Sequence, residues 1–214
     1  MGSLERDLRG GLLRLDLSLN EGQITRLLDY LGLIQKWTNT YNLTSLREPA
    51  EMLTHHLLDS LAVIGPLRKQ LACLMPVASL LDVGSGAGLP GVVVAICCAD
   101  IEVSCVDAVS KKVAFIRHVA GVLKLSNLKA LHARVEDLSG CYTIVSSRAF
   151  ASLSDFVRLS GRVLAPGGIW MAMKGKRPED EISALSDQAL VFHVEPLSVP
   201  GLVAERCIVW MRKT

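Results

Sequence analysis

The sequence has 214 residues, half of them hydrophobic and 21% charged, and its 23 Lys and Arg against 21 Asp and Glu leave a net charge of +2. That length suits one sizeable core with a short extension, and the apolar content excludes a disordered chain. No apolar run reaches the roughly 18 residues that span a bilayer, Glu5, Arg6, Asp7 and Arg9 interrupt the stretch where a signal peptide needs its apolar core, and so small a charge permits a nucleic-acid partner without announcing one.

A cytoplasmic protein is therefore expected. Along the chain, Ile24, Leu27, Leu28, Leu31 and Ile34 recur at helical spacing, and a second helical segment runs from Pro49 through Met52, Leu57, Leu58 and Leu61. The short polar side chains of 39–45 favour turns and helix caps, so they link the two helices, and Gly65-Pro66 is expected to end the second. Residues 1–75 read as a helical extension packed on a domain of residues 76–214. After Pro76, short apolar runs alternate with helical stretches, the pattern of a parallel sheet with crossover helices. Strands are expected at 79–83, 102–107, 128–132, 142–146 and 169–173, and helices at 90–98, 110–125, 152–164 and 178–185. Right-handed crossovers place these helices on both faces of the sheet. Pro166-Gly167-Gly168 reads as a turn before the fifth strand. Two last strands, 189–194 and 206–211, have no helix between them and should pair antiparallel. The fold class is thus α/β, a doubly wound, seven-stranded Rossmann-like sheet of the methyltransferase kind, mostly parallel with an antiparallel C-terminal strand. Six cysteines (Cys73, Cys97, Cys98, Cys105, Cys141 and Cys207) form no C-x-x-C pair and lie mostly in apolar runs, so they read as buried hydrophobes without a disulfide or metal role.

The stretch Leu80-Leu81-Asp82-Val83-Gly84-Ser85-Gly86-Ala87-Gly88-Leu89-Pro90-Gly91 is a strand entering a glycine-dense turn and then a helix. Ligands of such sheets sit at the carboxyl ends of the strands. Glycines there allow close approach and positive φ, while the helix start offers free N–H groups. Two patterns overlap: Asp82-x-Gly84-x-Gly86-x-Gly88 suits S-adenosylmethionine, and Gly86-x-Gly88-x-x-Gly91 satisfies the dinucleotide fingerprint. Asp107, ending the second strand, can accept bonds from ribose hydroxyls in either case. Asp82 tilts the choice, because a carboxylate before the glycines can help hold a methionine amino group but repels a pyrophosphate. After the third strand, backbone at Val135 and Glu136 can read an adenine edge, or the segment is a solvated cap.

The fourth strand ends in Ser146-Ser147-Arg148-Ala149-Phe150, without the Asn/Asp-Pro-Pro-aromatic turn that takes up the hydrogens of an exocyclic amine. No cysteine stands where methylation of a pyrimidine carbon needs a nucleophile. A ring nitrogen with a free lone pair, such as guanine N7, needs neither device, nor a general base, so no catalytic residue is assigned. Arg148 should position rather than activate, with its guanidinium on a methionine carboxylate or on a backbone carbonyl. Lys174, Lys176 and Arg177 follow the fifth strand at the ligand end and are expected to contact RNA phosphates. Lys111, Lys112, Arg117, His118 and Lys124 share one helix as a solvated face or a phosphate-tracking one. Trp37 and Tyr41 pack between helices or stack on a base. His55 and His56 have no third partner for a metal site.

Across roughly residues 25–212 the chain resembles the bacterial small-subunit ribosomal RNA guanine-N7 methyltransferase G family, also called glucose-inhibited division protein B. The strings that carry the resemblance are Tyr41-Asn42-Leu43-Thr44-Ser45, His56-x-x-Asp59-Ser60-Leu61, the Asp82 to Gly91 turn, Ser147-Arg148-Ala149-Phe150, and Met173-Lys174-Gly175 followed by Pro178-Glu179-Asp180-Glu181. His55 stands where the family commonly has arginine. The resemblance implies transfer of methyl from S-adenosylmethionine to N7 of one guanosine in the decoding-region loop of 16S rRNA. The cofactor is then contacted around Gly84, Leu89, Val135, Glu136 and Arg148. The implied partner is 16S rRNA, the small ribosomal subunit or its precursor, met by a monomer away from any membrane. Two alternatives stand beside this reading: a non-catalytic RNA-binding assembly factor that keeps the fold, and a methyltransferase of a small molecule or protein.

Overall fold

The computed structural model describes residues 2–72, 78–148, 150, 152–185 and 187–214; Cys73, Pro76 and Ala149 lie outside the described residues. Helix α1 (Ser3–Arg14) buries Leu8 and Leu12. It is an addition to the sequence reading, because the adjacent Gly10 and Gly11 weaken helix propensity. Gly11 lets α1 come close to Leu58, whose side chain would have to shift for a β-carbon there. Helix α2 (Glu21–Tyr41) opens on a capping box: the Asn20 side chain accepts from the Gln23 N–H, and the Gln23 side chain accepts from the Asn20 N–H. It ends at Asn42, in the left-handed conformation. Helix α3 (Pro49–Met52) passes through a π-helical stretch, Leu53–Leu58, into α4 (Asp59–Leu61). Gly65-Pro66 does not end this segment as expected. The chain turns after Leu61, and Gly65 and Pro66 lie inside a new helix, α5 (Ile64–Leu71). Pro66 is tolerated there because the first-turn N–H groups have no intrahelical acceptor to lose.

The sheet strands are β1 (Ala78–Val83), β2 (Ile101–Asp107), β3 (Leu128–His132), β4 (Tyr142–Ser147), β5 (Leu164–Lys174), β6 (Ala189–Leu197) and β7 (Arg206–Lys213). Helices α6 (Gly91–Cys97), α7 (Ser110–Val122) and α8 (Leu153–Ser160) connect the parallel strands, and α9 (Glu179–Ser183) leads to β6. The order is β3-β2-β1-β4-β5-β7-β6. Strands β1 to β5 are parallel, and β7 is inserted antiparallel to both β5 and β6. Pro166-Gly167-Gly168 is not a turn before β5 but part of it, where the register against β4 slips between Tyr142 and Ile144. A bulge suits these residues: Pro166 has no N–H for the ladder, Gly167 has φ +74, and a β-carbon at Gly168 would lie 2.9 Å from the Thr143 carbonyl oxygen.

Alternation along the strands divides the core. Leu80, Ile169 and Met171 face a cluster that includes Leu27, Leu61, Val92 and Phe115, so the N-terminal helices share one core with α6 and α7. Leu81, Trp170 and Val209 face Phe156 and Val157 of α8 on the other side. Among the described residues no helix is long and apolar enough to cross a membrane. The order reverses direction at β1, between β2 and β4, and this is where the carboxyl ends of parallel strands open a crevice for a ligand.

Candidate active site

Strand β1 runs directly into the glycine-dense turn. Gly84, Gly86 and Gly88 take φ of 66°, 60° and 89°, a region that side chains with a β-carbon avoid. The turn lies over the end of β2. The N–H groups of Gly84 and Ser85 donate to the Val106 carbonyl, and that of Gly86 donates to the Asp107 carboxylate at 3.0 Å. Asp82 sits beneath, fully buried, accepting from the Gly91 N–H at 3.0 Å and the Ser146 hydroxyl at 3.1 Å. Burial pushes its carboxyl up to about 7, against these two bonds and the nearby Arg148 guanidinium, which favour the charged form. A β-carbon on Gly91 would press on the Cys105 sulfur and the Asp82 side chain, so this glycine sets how closely α6 meets the sheet. Tyr30 of α2, completely buried, donates its hydroxyl to the Ala87 carbonyl at 2.6 Å. The first helical layer thereby holds the turn from above.

Gly84, Asp107, Val135, Glu136, Phe150 and Leu159 meet around a cavity of about 250 Å³. Asp107 is buried. Its Oδ2 takes the Gly86 N–H and its Oδ1 the Val109 N–H at 2.9 Å. Each carboxylate oxygen has a second lone pair for another donor. Residues Val135–Asp137 form a 3₁₀ turn, and the Glu136 carbonyl accepts from Arg162 at 2.9 Å. Asp82, Gly86, Gly88 and Leu89 are not on the wall of this cavity. Asp82 and the Leu89 side chain are buried, and the two glycines shape the turn.

Arg148 lies on a second cavity, of about 380 Å³, with His55, Asp59, Met173, Lys174 and Arg206. Its Nη1 donates to the His55 carbonyl at 3.1 Å and to Asp59 Oδ2 at 3.3 Å. A backbone carbonyl is one of the two kinds of partner expected for it. Asp59 Oδ1 accepts from Arg206 Nε at 2.8 Å, so one buried carboxylate ties α4 to the ends of β4 and β7. The basic turn divides. Lys174 is held between both Glu181 oxygens at 2.8 and 2.9 Å and is only 15% exposed. Arg177 pairs with Glu179 at 2.6 Å on the surface. Lys176 is exposed. His56 bonds Thr44 through Nε2 at 3.0 Å, and burial lowers its pKa to about 4, so it is neutral. Trp37 packs on Phe115, while Tyr41 stays half exposed. Among the described residues no group of three metal-ligating side chains occurs.

The model of the family described as rRNA small subunit methyltransferase G matches residues 23–209. The chain belongs to that family. Relatives include the ribosomal RNA small subunit methyltransferase G of Albidiferax ferrireducens, 64% identical over all of this chain and 99% of its own length. The protein of the same name from an Acidovorax species is 60% identical over 98% of this chain and 96% of its own. Among solved structures, a SAM dependent methyltransferase from Aquifex aeolicus superposes with a TM-score of 0.54 over 73% of this chain and 93% of its own, at 15% identity. That last likeness shows the fold. Within this methyltransferase G chain the strings that carry the resemblance converge: Asp59, Arg148 and Lys174 reach one cavity, and Val83 and Gly84, in the Asp82 to Gly91 stretch, border the other. Arg206 and Tyr30 were not singled out in the sequence, and Asp59 stood there only inside the string His56-x-x-Asp59-Ser60-Leu61, with no role of its own. Tyr30 reads there as one more apolar position of the α2 stripe, and the partners of Asp59 are far away in the chain.

Proposed function

We propose that the chain transfers a methyl group from S-adenosylmethionine to N7 of one guanosine in small-subunit ribosomal RNA. One observation carries the reading: two cavities, one bounded by Gly84 and Asp107 and one by Arg148 and Lys174, flank the carboxyl ends of β1 and β4 in a chain of the methyltransferase G family. The donor set suits the cofactor. Asp107 has lone pairs for ribose hydroxyls, Val135 and Glu136 bring backbone to an adenine edge, and the left-handed glycines leave room for the methionine end. Asp82, Gly86, Gly88 and Leu89 support that turn, Asp82 by accepting from the Gly91 N–H and the Ser146 hydroxyl. When bound, the cofactor supplies an electrophilic methyl on sulfonium. The chain orients the reaction: Arg148 holds the wall of the second cavity through the His55 carbonyl and Asp59, and N7 brings its own lone pair, so no side chain has to accept a proton. Lys176 and Arg177 face RNA phosphates, while Lys174 shapes the turn through Glu181. Residues 1–75 form the extension and 76–214 the transfer domain.

Release of S-adenosylhomocysteine by the purified chain, with and without 16S rRNA, tests the reading; turnover without RNA or none with it counts against it. Asp107→Ala should weaken cofactor binding by roughly 1.5 to 3 kcal/mol, the worth of a hydrogen bond to a charged group, and calorimetry that finds an unchanged Kd removes the ribose assignment. On the RNA side, replacing Lys176 and Arg177 with Ala should flatten the slope of log affinity against log salt by about two counterions. Lys174→Ala should leave that slope nearly unchanged, because Glu181 already neutralises it; a slope that falls equally for Lys174→Ala would place this lysine in the interface.

A further inference from the structure

Three cations line the second cavity, Arg148, Arg206 and Lys174, and two carboxylates oppose them. Glu181 takes Lys174. Asp59 takes both arginines, with its side chain 4% exposed and theirs 27% and 25%. Asp59 stands directly after the π-helical stretch Leu53–Leu58, an irregularity often found at functional sites. Methylation of N7 forms the nitrogen–carbon bond with the guanine lone pair, while the electrons of the sulfur–methyl bond stay on sulfur. Positive charge thus moves from the sulfonium to the guanine, into the space these cations line. An unpaired guanidinium there opposes the reaction, because like charges in a partly dry cavity repel far more strongly than in water.

We propose that Asp59 is a positioning residue for methyl transfer, clamping Arg148 and Arg206 into one cluster and cancelling part of their charge where the acceptor base becomes cationic. The inference rests on assigning this cavity to the acceptor under the function proposed above. Its test is single-turnover methyl transfer at saturating RNA and cofactor, with RNA affinity measured in parallel. Asp59→Asn should slow transfer on the order of 100-fold while binding RNA at least as tightly as the unaltered chain, since it adds net positive charge. Arg206→Gln in the Asp59→Asn background should regain on the order of tenfold. Arg206→Gln alone should weaken RNA binding yet speed transfer at saturation, a split that a scaffold residue does not produce. Transfer by Asp59→Asn at the unaltered rate, or a double variant no faster than Asp59→Asn, overturns the proposal. If Asp59→Asn fails to fold, Arg206→Gln decides: faster transfer supports the charge argument and slower transfer overturns it. An unaltered chain that makes no N7-methylguanosine removes the functional reading and this inference together, whereas normal transfer by both chains removes the inference alone.

Discussion

Gly88→Ala should abolish methyl transfer and destabilise the chain by roughly 3 kcal/mol, the sum of a left-handed residue with a β-carbon and an overpacked core. At φ +89° the new β-carbon would enter the Val92 side chain and lie 3.4 Å from both Ile116 and the Tyr30 hydroxyl. None of these can retreat cheaply. Val92 and Ile116 are completely buried, and Tyr30 is held by its bond to Ala87. The turn must lift instead, taking Gly84 away from the cavity and the Gly86 N–H away from Asp107. Cofactor binding by calorimetry and thermal unfolding check this, with Gly65→Ala as the control. Gly65 has no neighbour within 4 Å of a β-carbon and starts a helix, so its substitution should be neutral or slightly stabilising. Normal binding by Gly88→Ala would mean that the turn does not shape the site.

Asp82→Ala should cost about 3 kcal/mol of stability and most of the cofactor affinity, because it strands the buried Gly91 N–H, at roughly 1 to 3 kcal/mol, leaves the Ser146 hydroxyl only the long 3.5 Å bond to the Leu81 carbonyl, and opens a void under the turn. Asp82→Asn keeps an acceptor and the shape, and should cost much less. The two variants also separate by pH. Burial raises the Asp82 carboxyl from 3.8 to about 7, so between those values the folded chain holds a proton that the unfolded chain releases. This group's contribution to stability is therefore fully present below pH 4, falls as pH rises through about 7, and is flat above. Asp82→Asn removes that slope, and the stability difference from the unaltered chain should shift in favour of Asn with rising pH. Denaturant unfolding of both chains at pH 5 and pH 8 measures it; a difference that is the same at both pH values contradicts a raised carboxyl.

What could be read from the sequence was what is contiguous in it. The glycine turn, Asp82 and Asp107 follow from strand-turn-helix chemistry spelled out within a few residues, and the apolar runs placed all seven strands. Contacts between distant segments could not be read that way. Asp59 lies 89 residues from Arg148 and 147 from Arg206, and Tyr30 lies 57 from Ala87, distances over which no periodicity speaks. Nor could the sequence show that Lys174, a cation in a basic string, meets Glu181 through the short turn into α9. Pro166-Gly167-Gly168 misled, since the residues that favour a turn are also those a strand needs at a bulge.

The most direct test of the proposed activity is to locate the methyl group itself. Small-subunit ribosomal RNA from cells lacking the gene is incubated with the purified chain and S-adenosylmethionine, then cleaved chemically at N7-methylguanosine and read by primer extension. The proposed activity predicts one new cleavage, at a guanosine of the decoding-region loop of 16S rRNA, absent without the chain and absent with Gly88→Ala. No cleavage, or methyl recovered on an exocyclic amine or a pyrimidine, would contradict it.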